Sequence, residues 1–261
     1  MPPLTRTLGP VIQPTARNQA EIVRQRASIL RDLLELLPPC SYFSQTLDPR
    51  IGEALVYSRA GYSVSLVYTL VIPPTADVDA VWAGTRTKTR NLIRRAGESH
   101  DVVTLDAPTF VREYVRHVSS KKRTMIYDQA LLLQVCDEAL RRQRADLMGA
   151  RNRATGEIVA ATGVFHDEHA HYYLLSMRAD ESHSGAVSLL IWKAISRAMT
   201  EGRSFDFDGV SSARSFAFLS GFPSEVVPRL VVTKATIPGR MSKAAFDLVR
   251  GRSKGLNLID V

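Results

Sequence analysis

The chain has 261 residues, 45% of them hydrophobic, enough for a full core and for one large domain or one and a half small ones. Charged residues at 23% and aromatic residues at 7% are ordinary fractions that exclude wholesale disorder. The formal charge of +8 suits an anionic partner (nucleic acid, a nucleotide-bearing ligand or a lipid surface), set against the plainer reading of a basic, solvated surface.

Residues 1–16, rich in Pro, Thr and Gly, read as an irregular lead-in. The stripe Ile22, Ile29, Leu33 and Leu36 predicts a helix over 16–37, ended by Pro38-Pro39. A short strand over 41–45 follows. Asp48-Pro49, an N-cap followed by proline at the first helical position, predicts a helix to residue 60, closed by Gly61. A β-rich run over 62–72 stops at Pro73-Pro74. One helix is expected over 77–96, broken by Gly97, then a strand over 102–105 and helices over 109–119 and 126–144. Strands over 146–152, 157–166 and 169–177 are joined by Ala154-Thr155-Gly156 and Asp167-Glu168, which predicts an antiparallel meander. A helix over 185–201 leads into Phe205-Asp206-Phe207-Asp208-Gly209, read as a strand. A short helix to Gly221, a strand over 226–234 and a basic amphipathic helix from Ile237 complete the chain.

Residues 16–72 and 185–234 share one order: helix, strand, helix, Gly-aromatic, strand. This predicts a tandem repeat whose first copy lacks its front half, set against chance likeness of common α/β units. Cys40 and Cys136, far apart, make neither a metal-ligand spacing nor a disulfide framework. No apolar run reaches the length of a transmembrane segment, and no N-terminal signal is expected. A reduced, cytoplasmic protein is the expectation.

From residue 102 the predicted order is β-α-α-β-β-β-α-β-α-β. The stretches WAGTRTKTRNLIRRAG (82–97), TGEIVAATGVFHDEHAHYYLLSM (155–177), SGAVSLLIWKAISRAMTEG (184–202) and FDFDGVSSARSFAFLSGFPSEVVP (205–228) together resemble the Fem-like (FemAB-type) branch of the GNAT acyltransferase superfamily. The resemblance runs from about Tyr68 to Lys234, and residues 1–67 resemble only the end of a first GNAT domain. It implies an α/β (α+β) GNAT fold, a mixed, mostly antiparallel sheet flanked by helices. The implied domains are a partial GNAT-like unit over 1–75, an acyltransferase domain over 76–236 and a basic tail over 237–261. Members are acetyltransferases or aminoacyl-tRNA-dependent transferases that build peptidoglycan bridges.

Several residues become candidates on this basis. In CoA-dependent members a Gln/Arg-x-x-Gly-x-Gly/Ala turn presents backbone N–H groups to a pyrophosphate at a helix start. Here the turn reads Glu181-Ser182-His183-Ser184-Gly185-Ala186, with an acid at its first position and Ser184 for its first glycine. Arg178, Ser184, Gly185 and Ala186 are the implied contacts to acetyl-CoA or another acyl-CoA; the plain reading is a helix start capped by Ser182 or Ser184. Arg86, Arg90 and Arg94, at i, i+4 and i+8, make a cationic stripe that Arg123 of Lys121-Lys122-Arg123 extends. It is a candidate surface for a phosphate-bearing acceptor or tRNA, or else a solvated face. Asp206 and Asp208, on one face of a strand and roughly 6–7 Å apart, could orient an ammonium or take its proton. Structurally, Asp208 would cap the next turn and Asp206 would pair with an arginine. Tyr173, expected to share a face with His169 and His171, could protonate a leaving group, or be simply packed. Those histidines, with His166 and His183, lack zinc-like spacing, so no metal is expected.

The sequence thus points to an N-acyltransferase acting on a small-molecule or cell-wall-precursor amine without a covalent enzyme intermediate. Part of its oxyanion site would come from backbone N–H groups near Ser176 and Met177, as the fold implies. Two alternatives stand beside it: an aminoacyl-tRNA-dependent peptidoglycan-type aminoacyltransferase, and a non-catalytic RNA-binding module. A sheet edge left open by the partial first unit would favour a homodimer.

Overall fold

The structure is a computed structural model that describes residues 5, 7–74, 77–120, 128–179, 185–210 and 212–236. Arg123, Ser184, the rest of the 180–184 turn and the expected basic helix from Ile237 lie outside the described residues. The first half of the chain forms α1 (Gln19–Glu35), β1 (Tyr42–Thr46), α2 (Ala54–Arg59), β2 (Ser63–Ile72), α3 (Val78–Gly84), α4 (Thr87–Ser99), β3 (His100–Thr104) and α5 (Ala107–Ser120). The second half forms α6 (Gln129–Arg141), β4 (Ala145–Asn152), β5 (Ile158–His166), β6 (Ala170–Arg178), α7 (Ala186–Thr200), β7 (Ser204–Asp206), α8 (Ala213–Leu219) and β8 (Glu225–Ala235). The described residues form two compact units, Thr69–Val226 and the remainder on either side of it.

The smaller unit carries strands in the order β1-β8-β2, with β1 and β8 antiparallel from Tyr42↔Ala235 to Thr46↔Val231. Asn18 starts α1 by accepting the Glu21 N–H at 2.9 Å, so the helix begins later than residue 16. Leu30 of α1 is buried with Leu47, Ile51, Tyr57, Tyr62 and Val232. Tyr62 meets Phe43 and Tyr57 edge-on at 5.6 and 5.7 Å. The helix expected from Asp48 starts only at Ala54. The Asp48 carboxylate accepts the Arg50 N–H at 2.9 Å, and Ile51 N–H bonds the Asp48 carbonyl at 2.9 Å. Asp48 therefore closes a tight turn that Gly52 follows, and does not cap a helix.

In the larger unit the strand order is β2-β7-β6-β5-β4-β3. The expected meander is present: β3, β4, β5 and β6 pair antiparallel in succession. Strand β7 is parallel to β6 and antiparallel to β2. The fold is therefore mixed and mostly antiparallel, as expected. Helix α7 is apolar nearly all round, and Leu190, Ile191, Ala194 and Ile195 join Val164, Ala160 and Phe205 in the main core.

The single helix expected over 77–96 is two. Thr85 and Arg86 are extended (ψ 135° and 137°), which separates α3 from α4. The Thr85 hydroxyl bonds back to the Val81 carbonyl at 2.8 Å, and Arg86 N–H bonds the Gly221 carbonyl at 2.9 Å, so both ends of the break are satisfied. Gly97 does not end α4, which continues to Ser99.

Candidate functional site

Strand β6 follows β5 to its last residue, Ala160↔Arg178, but pairs with β7 only over Ala170↔Ser204, His171↔Phe205 and Tyr172↔Asp206. Beyond Tyr172 and Asp206 the two strands part. The residues predicted for chemistry sit where this happens. Phe205 and Phe207 are buried and meet edge-on at 5.1 Å, which anchors the chain at the parting. The Phe207 N–H bonds the Leu70 carbonyl of β2 at 2.9 Å.

The expectation that Asp206 and Asp208 share one strand face needs correction. Strand β7 ends at Asp206, and Asp208 has φ +59°, the left-handed region, so the alternation of side chains stops before it. Asp206 is 5% exposed, and its Oδ1 accepts the Thr69 hydroxyl at 2.6 Å and the Asp208 N–H at 2.7 Å. The same Thr69 hydroxyl accepts the Gly209 N–H at 2.8 Å. Gly209, at φ +98°, makes the second left-handed step that a side chain would resist. Asp206 is thus the inner brace of a turn, and Asp208 is the half-buried acid the turn carries. Nothing in the sequence singled out Thr69, a β-branched residue in a β-rich run.

Tyr173 is the first β6 residue past the parting. It is half-buried against the main core, and burial pushes its phenol up to about 12 against the lowering effect of a hydrogen bond with the Ser176 side chain. It stays protonated at neutral pH. His169, expected beside it, precedes β6. His171 is fully buried and stacks on His166 with ring centres 4.7 Å apart. Burial lowers both imidazoles, so they are neutral near pH 7. His171 Nε2 is 2.9 Å from Glu201, a carboxylate that can only accept, so the proton sits on Nε2. His166 lines a concavity of about 460 Å³ together with Asp146, Arg197, Glu201 and Arg203. These five come from β4, β5, α7 and the loop after α7, and no local pattern in the sequence could have assembled them.

The implied CoA turn is only partly described. An ideal Cβ on Gly185 would lie 2.2 Å from the Leu92 carbonyl oxygen and 3.2 Å from the Ala96 Cβ, so this glycine admits α4 against the start of α7. Ala186 is fully buried. Helix packing uses both small residues. Arg178 ends β6 and is half-buried.

The arginine stripe is also redistributed. Arg86 stands in the break ahead of α4. Arg90 donates to the Trp82 carbonyl at 3.2 Å and to the Ala83 carbonyl, capping the C-terminal end of α3. The Arg94 guanidinium lies 5.4 Å from the ring centre of Trp82, which packs on Trp192. Two of the three arginines therefore hold α3 to α4. Among the described residues no cluster of His, Cys, Asp and Glu could hold a metal, and no helix is long and apolar enough to cross a membrane.

Comparison with known proteins agrees with this fold. No curated protein matches the sequence. Among solved structures, FemX is similar with a TM-score of 0.63 at 10% identity, over 89% of this chain and 80% of that one. The C-terminal domain of a candidate lysylphosphatidylglycerol synthetase from Agrobacterium fabrum gives 0.59 at 12% identity, over 90% and 80%. L-PGS from Bacillus licheniformis gives 0.55 at 13%, over 86% and 76%. At these identities the likeness is one of fold. Residues 83–213, half of the chain, match the family model described as an acetyltransferase (GNAT) domain. With β6 and β7 parting beside Asp208 and Tyr173 inside that match, the chain belongs to the GNAT acetyltransferase family.

Proposed function

We propose that this protein is an N-acyltransferase that moves an acyl or aminoacyl group onto an amine in the opening between β6 and β7. One observation carries the reading: the pairing of β6 with β7 ends at Tyr172 and Asp206, with the half-buried Asp208 carboxylate two residues beyond the end of β7 and the protonated Tyr173 phenol next along β6. The amine arrives as an ammonium ion. Asp208 accepts its hydrogen bond, fixes its direction and takes one proton. The neutral nitrogen then attacks the acyl carbon. Backbone N–H groups of β6 near Ser176 and Met177 face the negative charge that develops on the carbonyl oxygen. The bond to the leaving group breaks as Tyr173 supplies it with a proton, and the new amide nitrogen gives up its second proton, which restores the Tyr173 phenol.

The donor is assigned by class, as an activated ester or thioester. Acyl-CoA is the family's ordinary donor, but Gly185 and Ala186 are taken up by helix packing. Aminoacyl-tRNA is the second reading. Its support is the +8 charge and the fold shared with a lysylphosphatidylglycerol synthetase, whose named product carries an aminoacyl group. A small-molecule or cell-wall-precursor amine fits either donor. A non-catalytic RNA-binding role has less support, because Arg90 and Arg94 serve α3. Asp208→Asn is expected to lower turnover by about 10²–10⁴-fold with folding intact. Full activity in both Asp206→Asn and Asp208→Asn would refute the assignment. Calorimetry with acetyl-CoA and filter retention of charged tRNA across a salt series separate the donors, since tRNA binding falls steeply with salt.

A further inference from the structure

We propose that Thr69 is a positioning residue for the transfer reaction: its hydroxyl sets the backbone turn that presents Asp208 to the acceptor amine. The proposal rests on the reading of Asp208 given above. Thr69 lies on β2, ahead of the 83–213 family match, and is fully buried. Its single hydroxyl does two jobs at once. It donates to Asp206 Oδ1 at 2.6 Å and accepts from Gly209 N at 2.8 Å. The same Asp206 oxygen accepts from Asp208 N at 2.7 Å. The peptide N–H groups of Asp208 and Gly209 are therefore both tied down, one by Asp206 directly and one by Thr69.

The need for this brace is visible in the backbone. Asp208 at φ +59° and Gly209 at φ +98° are consecutive left-handed residues. A non-glycine residue persists there only when its surroundings hold it. With the Thr69 hydroxyl gone, Gly209 N–H loses its acceptor, Asp206 Oδ1 loses a donor, and Asp208 is released toward negative φ. That movement swings its carboxylate without unpacking Phe205 or Phe207. Only a hydroxyl residue can donate and accept at this position. Serine keeps both bonds on a looser side chain, whereas valine keeps the shape and makes neither.

The test uses the full chain carrying Thr69→Val, Thr69→Ser or Asp208→Asn. Amide exchange at Gly209 and the carboxyl titration of Asp208 are read by NMR. Amine-dependent CoA release from acetyl-CoA is followed with L-lysine, glucosamine and spermidine as probes. Thr69→Val should speed Gly209 exchange, move the Asp208 titration and raise the amine KM, the exchange and KM effects each on the order of ten-fold. Thr69→Ser should restore all three. A purely structural threonine would instead lower the folded fraction and leave KM and the Asp208 titration in place. Unchanged Gly209 exchange and Asp208 titration in Thr69→Val, or an unchanged KM in Thr69→Val beside an inactive Asp208→Asn, would overturn the role of Thr69 alone. Full turnover in Asp208→Asn would overturn the reading of Asp208 itself, and the role of Thr69 with it.

Discussion

Gly185→Ala is a sharp test of how the candidate acyltransferase core is packed, because two effects of opposite sign meet there. At φ −88° and ψ −8° an alanine is unstrained, and replacing glycine at such a site ordinarily stabilises a protein by about 0.4–1 kcal/mol through the unfolded chain. Against this, the new Cβ would stand 2.2 Å from the Leu92 carbonyl oxygen and 2.8 Å from its carbon. Carbon–oxygen contacts settle near ~3.3 Å, so α4 must retreat by roughly 1 Å. The obstacle is helix backbone, which cannot rotate away, and overpacking of this kind costs about 1–3 kcal/mol. The clash should win, with a net loss of about 1 kcal/mol. Urea unfolding should then show a midpoint lowered by about 0.5 M at an unchanged slope. Gly97→Ala is the control within the same helix α4, since nothing lies within 4 Å of its Cβ. It should stabilise by about 0.5–1 kcal/mol. A Gly185→Ala protein as stable as the wild type would refute the close approach of α4 to α7.

Arg90→Ala removes the side chain that caps α3, and should cost about 1–2 kcal/mol in thermal or urea unfolding while leaving tRNA retention on filters unchanged. Weaker tRNA binding at unchanged stability would return this arginine to a phosphate-contact role. Burial would raise the Glu201 carboxyl, but hydrogen bonds from Arg197 and His171 outweigh it and bring the group down to about 2 from 4.5. A folded-state value below the unfolded one gives stability that is present above pH 4.5 and lost as pH falls toward 2. Melting curves across that range should show the wild type losing its advantage over Glu201→Gln; a constant gap would contradict the linkage. Burial pushes the Cys136 thiol up to about 11, whereas Cys40 is exposed. A disulfide reagent near neutral pH should modify Cys40 in the native protein and reach Cys136 only after unfolding, and rapid labelling of Cys136 would count against the packing of α6.

What the sequence determined by itself is what the chain encodes locally. Three closely spaced strand runs joined by the turns at Ala154-Thr155-Gly156 and Asp167-Glu168 marked the meander of β4, β5 and β6, and the helical run over residues 185–201 marked α7. Those signals depend on neighbours a few residues apart, so they survive without knowledge of the fold. The same local logic misled where a distant partner decides. Periodicity ran Arg86, Arg90 and Arg94 along one helix, but the Gly221 carbonyl takes the Arg86 N–H and Thr85 bonds back into α3, so the helix divides and the stripe becomes a clamp. At Gly185 only the arrival of Leu92 shows that a side chain is excluded. Alternation placed Asp206 and Asp208 together, but Thr69, 137 residues before Asp206, turns the chain and separates them into brace and presented acid. Tertiary structure decided these points because a hydrogen bond or a steric contact is set by distance in space, and the chain acquires those distances only when β2, α4 and α7 have packed.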